Sequence, residues 1–133
     1  MRYNRDVMRR YSERPQPTAN PVEADRSGAV TPALLRDIVT RVVSAISPDQ
    51  IFLFGSRARG NARPNSDIDI LIIADSDQPR YRRSVPLYGV LKDVPVPIDI
   101  LVYTADEVRE WADVPQAFVT TARREGKLLY EKH

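Results

Sequence analysis

Two aspartates separated by one residue open an apolar stretch of the sequence, SDIDILII, over residues 66–73. Because side chains alternate across a β-strand, Asp67 and Asp69 would point to one face while Ile68 and Ile70 point to the other. Two neighbouring carboxylates repel each other unless both are solvated or a cation lies between them. Such oxygen ligands suit Mg²⁺, which binds through one or two carboxylates together with substrate phosphates. The spacing alone is also common in solvated strand ends and turns.

A third carboxylate, Asp99, is the only charged residue in the apolar run PIDILV of residues 97–102. An aspartate in such a strand is rarely buried without a partner, and pairing with an arginine is one explanation. If this strand is next to the one that carries Asp67 and Asp69, the three carboxylates can lie together. They could then hold two metal ions about 3.5–4 Å apart, the arrangement used for in-line phosphoryl or nucleotidyl transfer.

A glycine and a serine follow the apolar run QIFLF of residues 50–54. Glycine directly after a buried strand lets the backbone turn sharply and approach a ligand closely. If Ser56 opens a short helix through Gly60, the amides at its start point at an anion and the helix dipole adds to the attraction. The Ser56 hydroxyl can donate to a phosphate oxygen. Neither a Walker A loop nor a GxGxxG fingerprint is present.

Each feature is weak alone, and their joint order carries the prediction. An apolar strand is followed by the Gly-Ser pair, ten residues, the Asp-x-Asp pair and then the lone aspartate of a third strand. GSRARGNARPNSDIDILI followed by PIDILVY resembles the minimal nucleotidyltransferase (MNT) family of the DNA polymerase β-like superfamily, with its pattern GSx10DxD. The resemblance covers residues 31–131 and includes the closing REGKLLYE.

The resemblance implies a polymerase β-like palm that binds ATP and two Mg²⁺ ions. By analogy, Gly55 and Ser56 would hold the triphosphate. Asp67 and Asp69 would bind both metals, and Asp99 would complete the metal site and assist in activating the nucleophile. The three aspartates are therefore the catalytic residues that the resemblance implies.

Stand-alone proteins of this size in the family are commonly MntA-type antitoxins of prokaryotic two-gene systems. Their partners are HEPN-domain ribonuclease toxins, some of which are inactivated by transfer of AMP to a tyrosine hydroxyl. The resemblance thus implies a protein adenylyltransferase acting on such a toxin. Two alternatives stay open: an antitoxin that neutralises by binding alone, and an enzyme that modifies a small molecule such as an antibiotic.

Further side chains near these motifs have two interpretations each. Three loop arginines could contact triphosphate oxygens or a partner, although solvated positions account for at least two of them. These are Arg57, Arg59 and Arg63. Four aromatic residues could stack on adenine but fit equally well at the boundary of a core. These are Tyr81, Tyr88, Tyr103 and Trp111.

The composition argues against several other chemistries. There is no cysteine, which excludes disulfides, thiolate catalysis and cysteine-ligated metals. The single histidine is the last residue, His133, so a catalytic triad is not indicated. The net charge of +2 is too small to indicate nucleic-acid binding. No apolar run approaches the ~20 residues needed to cross a bilayer, and no secretory signal is evident, which favours a cytoplasmic location.

The elements that would position these residues alternate between helices and strands. Strands are predicted at residues 50–54, 66–73 and 96–103, with a short final strand at 128–130. An amphipathic helix is predicted over 31–47, and a mixed helical segment over 78–92 is interrupted by Pro86. Thr104 and Glu107 predict a capping box, and Gly126 a left-handed helix end. This order indicates an α/β (α+β) fold with a small mixed sheet and helices mainly on one face.

Residues 1–30 differ in composition from the rest of the chain. They contain six arginines and three prolines but little apolar periodicity, which predicts an irregular arm. A solvated tail and a segment that folds against a partner are both compatible with this pattern. The nucleotidyltransferase domain is predicted over residues 31–133, and the sequence leaves open whether a homo-oligomer or a hetero-oligomer forms.

Overall fold

A mixed sheet flanked by helices forms the centre of the computed structural model, which describes residues 2–3, 30–63, 65–114 and 117–133. The strands are β1 (Arg2–Tyr3), β2 (Gln50–Phe54), β3 (Ile68–Ile73), β4 (Ile98–Tyr103) and β5 (Lys127–Glu131). The helices are α1 (Pro32–Ile46), α2 (Ser56–Arg59), α3 (Arg80–Arg83), α4 (Val85–Val90), α5 (Ala105–Trp111) and α6 (Phe118–Glu125). These elements confirm the predicted fold class.

The sheet has the strand order β1-β5-β2-β3-β4. β3 and β4 run parallel, and the other neighbouring pairs are antiparallel. A parallel pair needs a crossover connection, which here runs through α3 and α4. Pro86 lies in the first turn of α4 and splits the predicted helical segment into these two short helices.

The larger core lies between one face of the sheet and helices α1 and α4. Thr31 caps α1, because its hydroxyl accepts a hydrogen bond from the Leu34 amide at 3.1 Å. The buried stripe of this helix consists of Leu35, Ile38, Val39 and Val42. This stripe packs on alternate residues of the strands, among them Ile51, Ile70 and Ile100. The prediction of helices mainly on one face holds for α1 and α4 only, because α5 and α6 pack on the opposite face.

A smaller apolar layer covers the opposite face, where α5 and α6 pack. Its buried members are Phe52, Leu71, Ile73, Tyr103, Val119 and Ala122. The residues from Ile70 to Ile73 are all buried, because β3 is covered on both faces. Such a continuous apolar run is typical of a strand with helices on either side.

Some predicted element ends differ from those in the structure. The strands predicted to begin at residues 66 and 96 begin at Ile68 and Ile98, so Asp67 precedes its strand. Gly126 is extended, with φ −75° and ψ 170°, so the prediction of a left-handed helix end is wrong. Glycine is required there because a Cβ would lie 2.4 Å from the Ala122 carbonyl oxygen and 2.9 Å from that of Leu53.

Two further predictions concern the arm and the membrane. Apart from β1 and Val30, the predicted arm over residues 1–30 lies outside the described residues. β1 pairs with β5, with Arg2 opposite Glu131 and Tyr3 opposite Tyr130. In the described part of the chain, every helix is too short or too polar to span a bilayer.

Candidate active site

Asp69 lies in one cross-strand row with Phe54 of β2 and Asp99 of β4. In-register neighbours on adjacent strands point to the same face of a sheet, which here is the face of α5 and α6. The strands that carry Asp69 and Asp99 are therefore neighbours, which is the condition on which a shared carboxylate site depended. We call Asp69, Asp99 and the nearby Asp67 the aspartate row.

Electrostatic coupling links the three members of the aspartate row. Burial raises the pKa of Asp69 above its usual value, and the negative charges of Asp99 and Asp67 raise it further. The positive charges of Arg59 and Arg57 act in the opposite direction and favour the ionised form. Bringing these carboxylates together thus costs free energy that a bound cation would offset.

The carboxylates of the aspartate row do not converge on a single point. Among the described residues, no group of three or more Asp, Glu, His or Cys side chains has the spacing to hold a metal ion. Asp67 and Asp99 are exposed, whereas Asp69 is half-buried. Side-chain rotation can therefore reorient the Asp67 and Asp99 carboxylates without moving a strand. The three residues fit a hard divalent cation such as Mg²⁺ for two reasons. They offer carboxylate oxygens, which such a cation prefers, and a cation would offset the repulsion between their negative charges.

Gly55 is in direct contact with the aspartate row. Its φ of 73° and ψ of −157° form a backbone conformation that is essentially restricted to glycine. A Cβ at this position would lie 2.2 Å from Oδ2 of Asp69, so the missing side chain is also the space that the carboxylate occupies. The two halves of the sequence pattern, Gly-Ser and Asp-x-Asp, therefore meet in space.

Ser56 begins the short helix α2, the possibility considered from the sequence, and Gly60 ends it with a φ of 81°. The amides of Ala58 and Arg59 both donate to the Gly55 carbonyl at 3.1 Å, which closes the turn tightly. The half-buried Ser56 is thereby held next to the glycine that contacts Asp69. This arrangement brings the backbone turn at Gly55 and Ser56 to one side of Asp69.

Arg57 ties α2 to the loop that precedes the aspartate row. Its Nε and Nη2 donate to the Ser66 carbonyl at 3.1 and 2.7 Å. The Ser66 hydroxyl accepts a hydrogen bond from the Arg63 amide at 2.9 Å, which tightens the same loop. The sequence suggested a phosphate contact or a solvated position for Arg57, but the side chain anchors the residue before Asp67.

Tyr88 of α4 is a further residue at this site. Its hydroxyl accepts a hydrogen bond from the Ile100 amide at 2.9 Å and lies 3.4 Å from Oδ1 of Asp99. The sequence suggested only a base contact or a core boundary for this tyrosine. No local pattern could have found it, because the contact depends on how α4 packs beside the edge strand.

An aromatic pair borders the row on the side of β2. The rings of Phe54 and Phe118 meet edge to face at 5.3 Å between centroids, and Tyr103 lies 6.4 Å from Phe118. Phe118 remains 44% exposed, so this apolar surface is accessible beside the carboxylates.

A cavity of about 500 Å³ lies at the other end of the parallel strands. Its lining consists of Asp75, Ser76, Asp77, Arg83, Thr104, Asp106 and Glu107. Arg83 and Glu107 form an ion pair with each other, and Thr104 is engaged in the cap of α5. The cavity does not include any residue of the aspartate row.

Comparisons with known proteins place this geometry in a family. A nucleotidyltransferase domain matches residues 35–131, which contain all five residues predicted for the site. A Sulfolobus solfataricus protein, provisionally assigned as a nucleotidyltransferase and solved at 1.40 Å resolution, has a similar structure. It shares 24% sequence identity over 71% of this chain and 85% of its own, with a TM-score of 0.48. No curated protein is significantly similar. Because the domain match spans most of the sequence, the chain belongs to the nucleotidyltransferase domain family.

Proposed function

We propose that the protein is a Mg²⁺-dependent enzyme that transfers AMP from ATP to a hydroxyl group of a protein partner. The observation that carries this proposal is the contact between Gly55 and Asp69, with Asp99 alongside in the next strand. It joins a turn suited to phosphate with carboxylates suited to a metal ion. Membership of the nucleotidyltransferase family supports the reaction type.

In the proposed reaction each residue has a defined task. Gly55 and Ser56 hold the triphosphate through the backbone turn and the serine hydroxyl. Asp67, Asp69 and Asp99 hold the Mg²⁺ ions. When bound, these ions neutralise phosphate charge and lower the pKa of the acceptor hydroxyl. The hydroxyl oxygen forms a bond to the α-phosphorus as the bond to the bridging oxygen breaks. Pyrophosphate leaves, and the hydroxyl proton passes to a carboxylate or to water.

The acceptor we propose is a protein, specifically a HEPN-domain toxin that the chain neutralises as an antitoxin. Asp67 and Asp99 are exposed, so the described part of the chain leaves this side of the row accessible to a large acceptor. The proposal places the reaction in the cytoplasm, where ATP is available.

Transfer of label from ATP to the purified toxin in Mg²⁺ tests the proposal. With ATP labelled at the α-phosphorus, the wild type should label the toxin, whereas ATP labelled at the γ-phosphorus should not. The double substitution Asp67→Asn/Asp69→Asn should reduce transfer by more than about 100-fold, because outer-sphere changes alone cost about 10–100-fold at metal sites. Parallel reactions with GTP, CTP and UTP establish the nucleotide preference.

A second Asp-x-Asp sequence in the same chain offers a matched control. Asp75 and Asp77 follow β3 at the end of the strand opposite Asp69, and both are exposed. Asp75→Asn/Asp77→Asn makes the same change in charge and should leave transfer near the wild-type rate. If the wild type transfers no label but still neutralises the toxin, the protein acts by binding alone and the proposed enzyme activity is wrong.

A further inference from the structure

The outer edge of β4 is covered by side chains from the crossover helices. Alternate residues of β4 bond to β3, which leaves the Ile100 amide and the Val102 carbonyl pointing away from the sheet. The Tyr88 hydroxyl accepts from the Ile100 amide at 2.9 Å, and Arg83 Nη1 donates to the Val102 carbonyl at 3.2 Å. Both edge groups are thus satisfied from within the chain. Of these two side chains, only Tyr88 also reaches the aspartate row.

The position of the Tyr88 hydroxyl is set from two directions. The preceding residue, Leu87, is fully buried in the larger core and holds α4 against the sheet. The Ile100 amide occupies a lone pair of the hydroxyl, so the hydroxyl proton must point elsewhere. Oδ1 of Asp99 accepts from the hydroxyl at 3.4 Å, which is a long hydrogen bond at an exposed position. The hydroxyl thus favours one particular oxygen of the carboxylate.

Asp99 needs such a constraint more than Asp69 does. Asp69 is half-buried and confined by Gly55, whereas Asp99 is exposed and lies on the edge strand. An exposed aspartate samples several rotamers, and each unproductive rotamer weakens a metal site. A hydrogen bond to one carboxylate oxygen restricts this sampling and leaves the other oxygen for a cation.

We propose that Tyr88 is a positioning residue that orients the Asp99 carboxylate for metal binding, an inference that rests on the function proposed above. Tyr88 acts through Asp99 and does not itself touch the metal or the nucleotide. Tyr88 is 42% exposed, so water can reach the Ile100 amide once the hydroxyl is removed. The substitution Tyr88→Phe therefore isolates the hydroxyl.

Binding of Mn²⁺ provides a readout that is independent of turnover. The protein is titrated with Mn²⁺, and free Mn²⁺ is measured by electron paramagnetic resonance. The titration is carried out with and without α,β-methylene-ATP, an analogue that cannot transfer AMP. Tyr88→Phe should weaken Mn²⁺ binding about 10-fold and lower kcat for toxin labelling by a similar factor, with KM for ATP nearly unchanged. The control Tyr81→Phe removes a hydroxyl from an α3 side chain that is 74% exposed, and it should change neither quantity.

A double-mutant cycle with Asp99→Asn separates positioning from general support of the edge strand. If Tyr88 acts through Asp99, Tyr88→Phe has no further effect on Mn²⁺ binding in the Asp99→Asn background. An equal loss in both backgrounds, or no loss in the wild-type background, overturns the inference. Circular dichroism and thermal unfolding in EDTA show whether each variant is folded. If the wild type binds Mn²⁺ but labels no toxin, the proposed function fails while the binding cycle still tests Tyr88.

Discussion

Gly55 and Asp69 occupy adjoining space although they are distant in the sequence. The positive φ of Gly55 disfavours any side chain, and the Asp69 carboxylate fills the volume where a Cβ would lie. The two requirements are physically independent, since one concerns backbone strain and the other concerns the carboxylate. A second glycine, Gly60, also has a positive φ but lies in the left-handed helical region, and nothing is within 4 Å of its Cβ position.

The substitution Gly55→Ala should therefore damage both stability and activity. We expect a loss of about 1–3 kcal/mol in the free energy of unfolding from strain, with AMP transfer reduced by more than 10-fold because the Asp69 carboxylate is displaced. Gly60→Ala should cost about 1–2 kcal/mol and leave transfer largely intact. Urea unfolding and label transfer measure the two effects. Equal transfer by both variants would show that the contact with Asp69 is unimportant.

Among the elements, α5 is joined to α3 across the end of β4 through Glu107. The Glu107 carboxylate caps α5 by accepting from the Thr104 amide at 2.8 Å, and it also pairs with Arg83 and Arg80. Burial opposes ionisation of Glu107, but the hydrogen bonds from Arg83 and Thr104 outweigh it and lower the pKa to about 2. One side chain thus connects a helix cap with the crossover that carries Tyr88.

The lowered pKa of Glu107 predicts how stability changes with pH. Because the folded pKa is about 2 and the unfolded value is 4.5, the contribution is fully present above about pH 5 and is lost as pH falls towards 2. Glu107→Gln should cost about 1.5–3 kcal/mol at pH 7, and the difference from wild type should shrink on acidification.

Asp106→Asn is the matched control for this experiment. Asp106 lies in the same first turn of α5, but its side chain is 88% exposed and its ion pair with Arg109 is at the surface. We expect a change below about 0.5 kcal/mol, with little dependence on pH. Urea unfolding between pH 3 and pH 7 compares the two variants. A constant cost for Glu107→Gln across this range would contradict the role assigned to its charge.

In the molecule as a whole, the mixed topology brings the site together. β2 runs antiparallel to β3, so its carboxyl end, which leads into Gly55, meets the amino ends of β3 and β4. The aspartate row is therefore at the amino end of the parallel pair, whereas the cavity lined by Asp75 and Glu107 is at the carboxyl end. Ligand binding at the row should stabilise the complete sheet, because three of its strands contribute to the site.

For the whole chain, we predict that nucleotide binding raises the free energy of unfolding. Mg-ATP at about 100 times its Kd should add about 2.7 kcal/mol to the free energy of unfolding of the wild type. Asp69→Asn should abolish this increment, whereas Asp75→Asn should retain it. Urea unfolding followed by the fluorescence of the single tryptophan, Trp111, measures each increment. An undiminished increment in Asp69→Asn would place nucleotide binding elsewhere.

Much of the fold was predictable because its signals are local. The helical spacing after Thr31, the capping box at Thr104 and the apolar runs each reflect the chemistry of a few consecutive residues. Strand periodicity likewise indicated that Asp69 and Asp99 would lie on one face if their strands were neighbours, which is the register that the sheet has. The strand starts and the conformation of Gly126 were not predictable, since they depend on pairing and packing with distant residues.

Sequence patterns alone were enough to indicate carboxylates beside a Gly-Ser turn, a nucleotidyltransferase domain and the positions of most elements. Three contacts became visible only in the folded chain: Asp69 fills the space beside Gly55, Arg57 anchors the loop before Asp67, and Tyr88 reaches Asp99. These contacts join residues from separate elements, and their geometry follows from the antiparallel register of β2 with β3 and from the packing of α4. Local sequence patterns specify which groups are available, whereas the sheet topology specifies which of them meet.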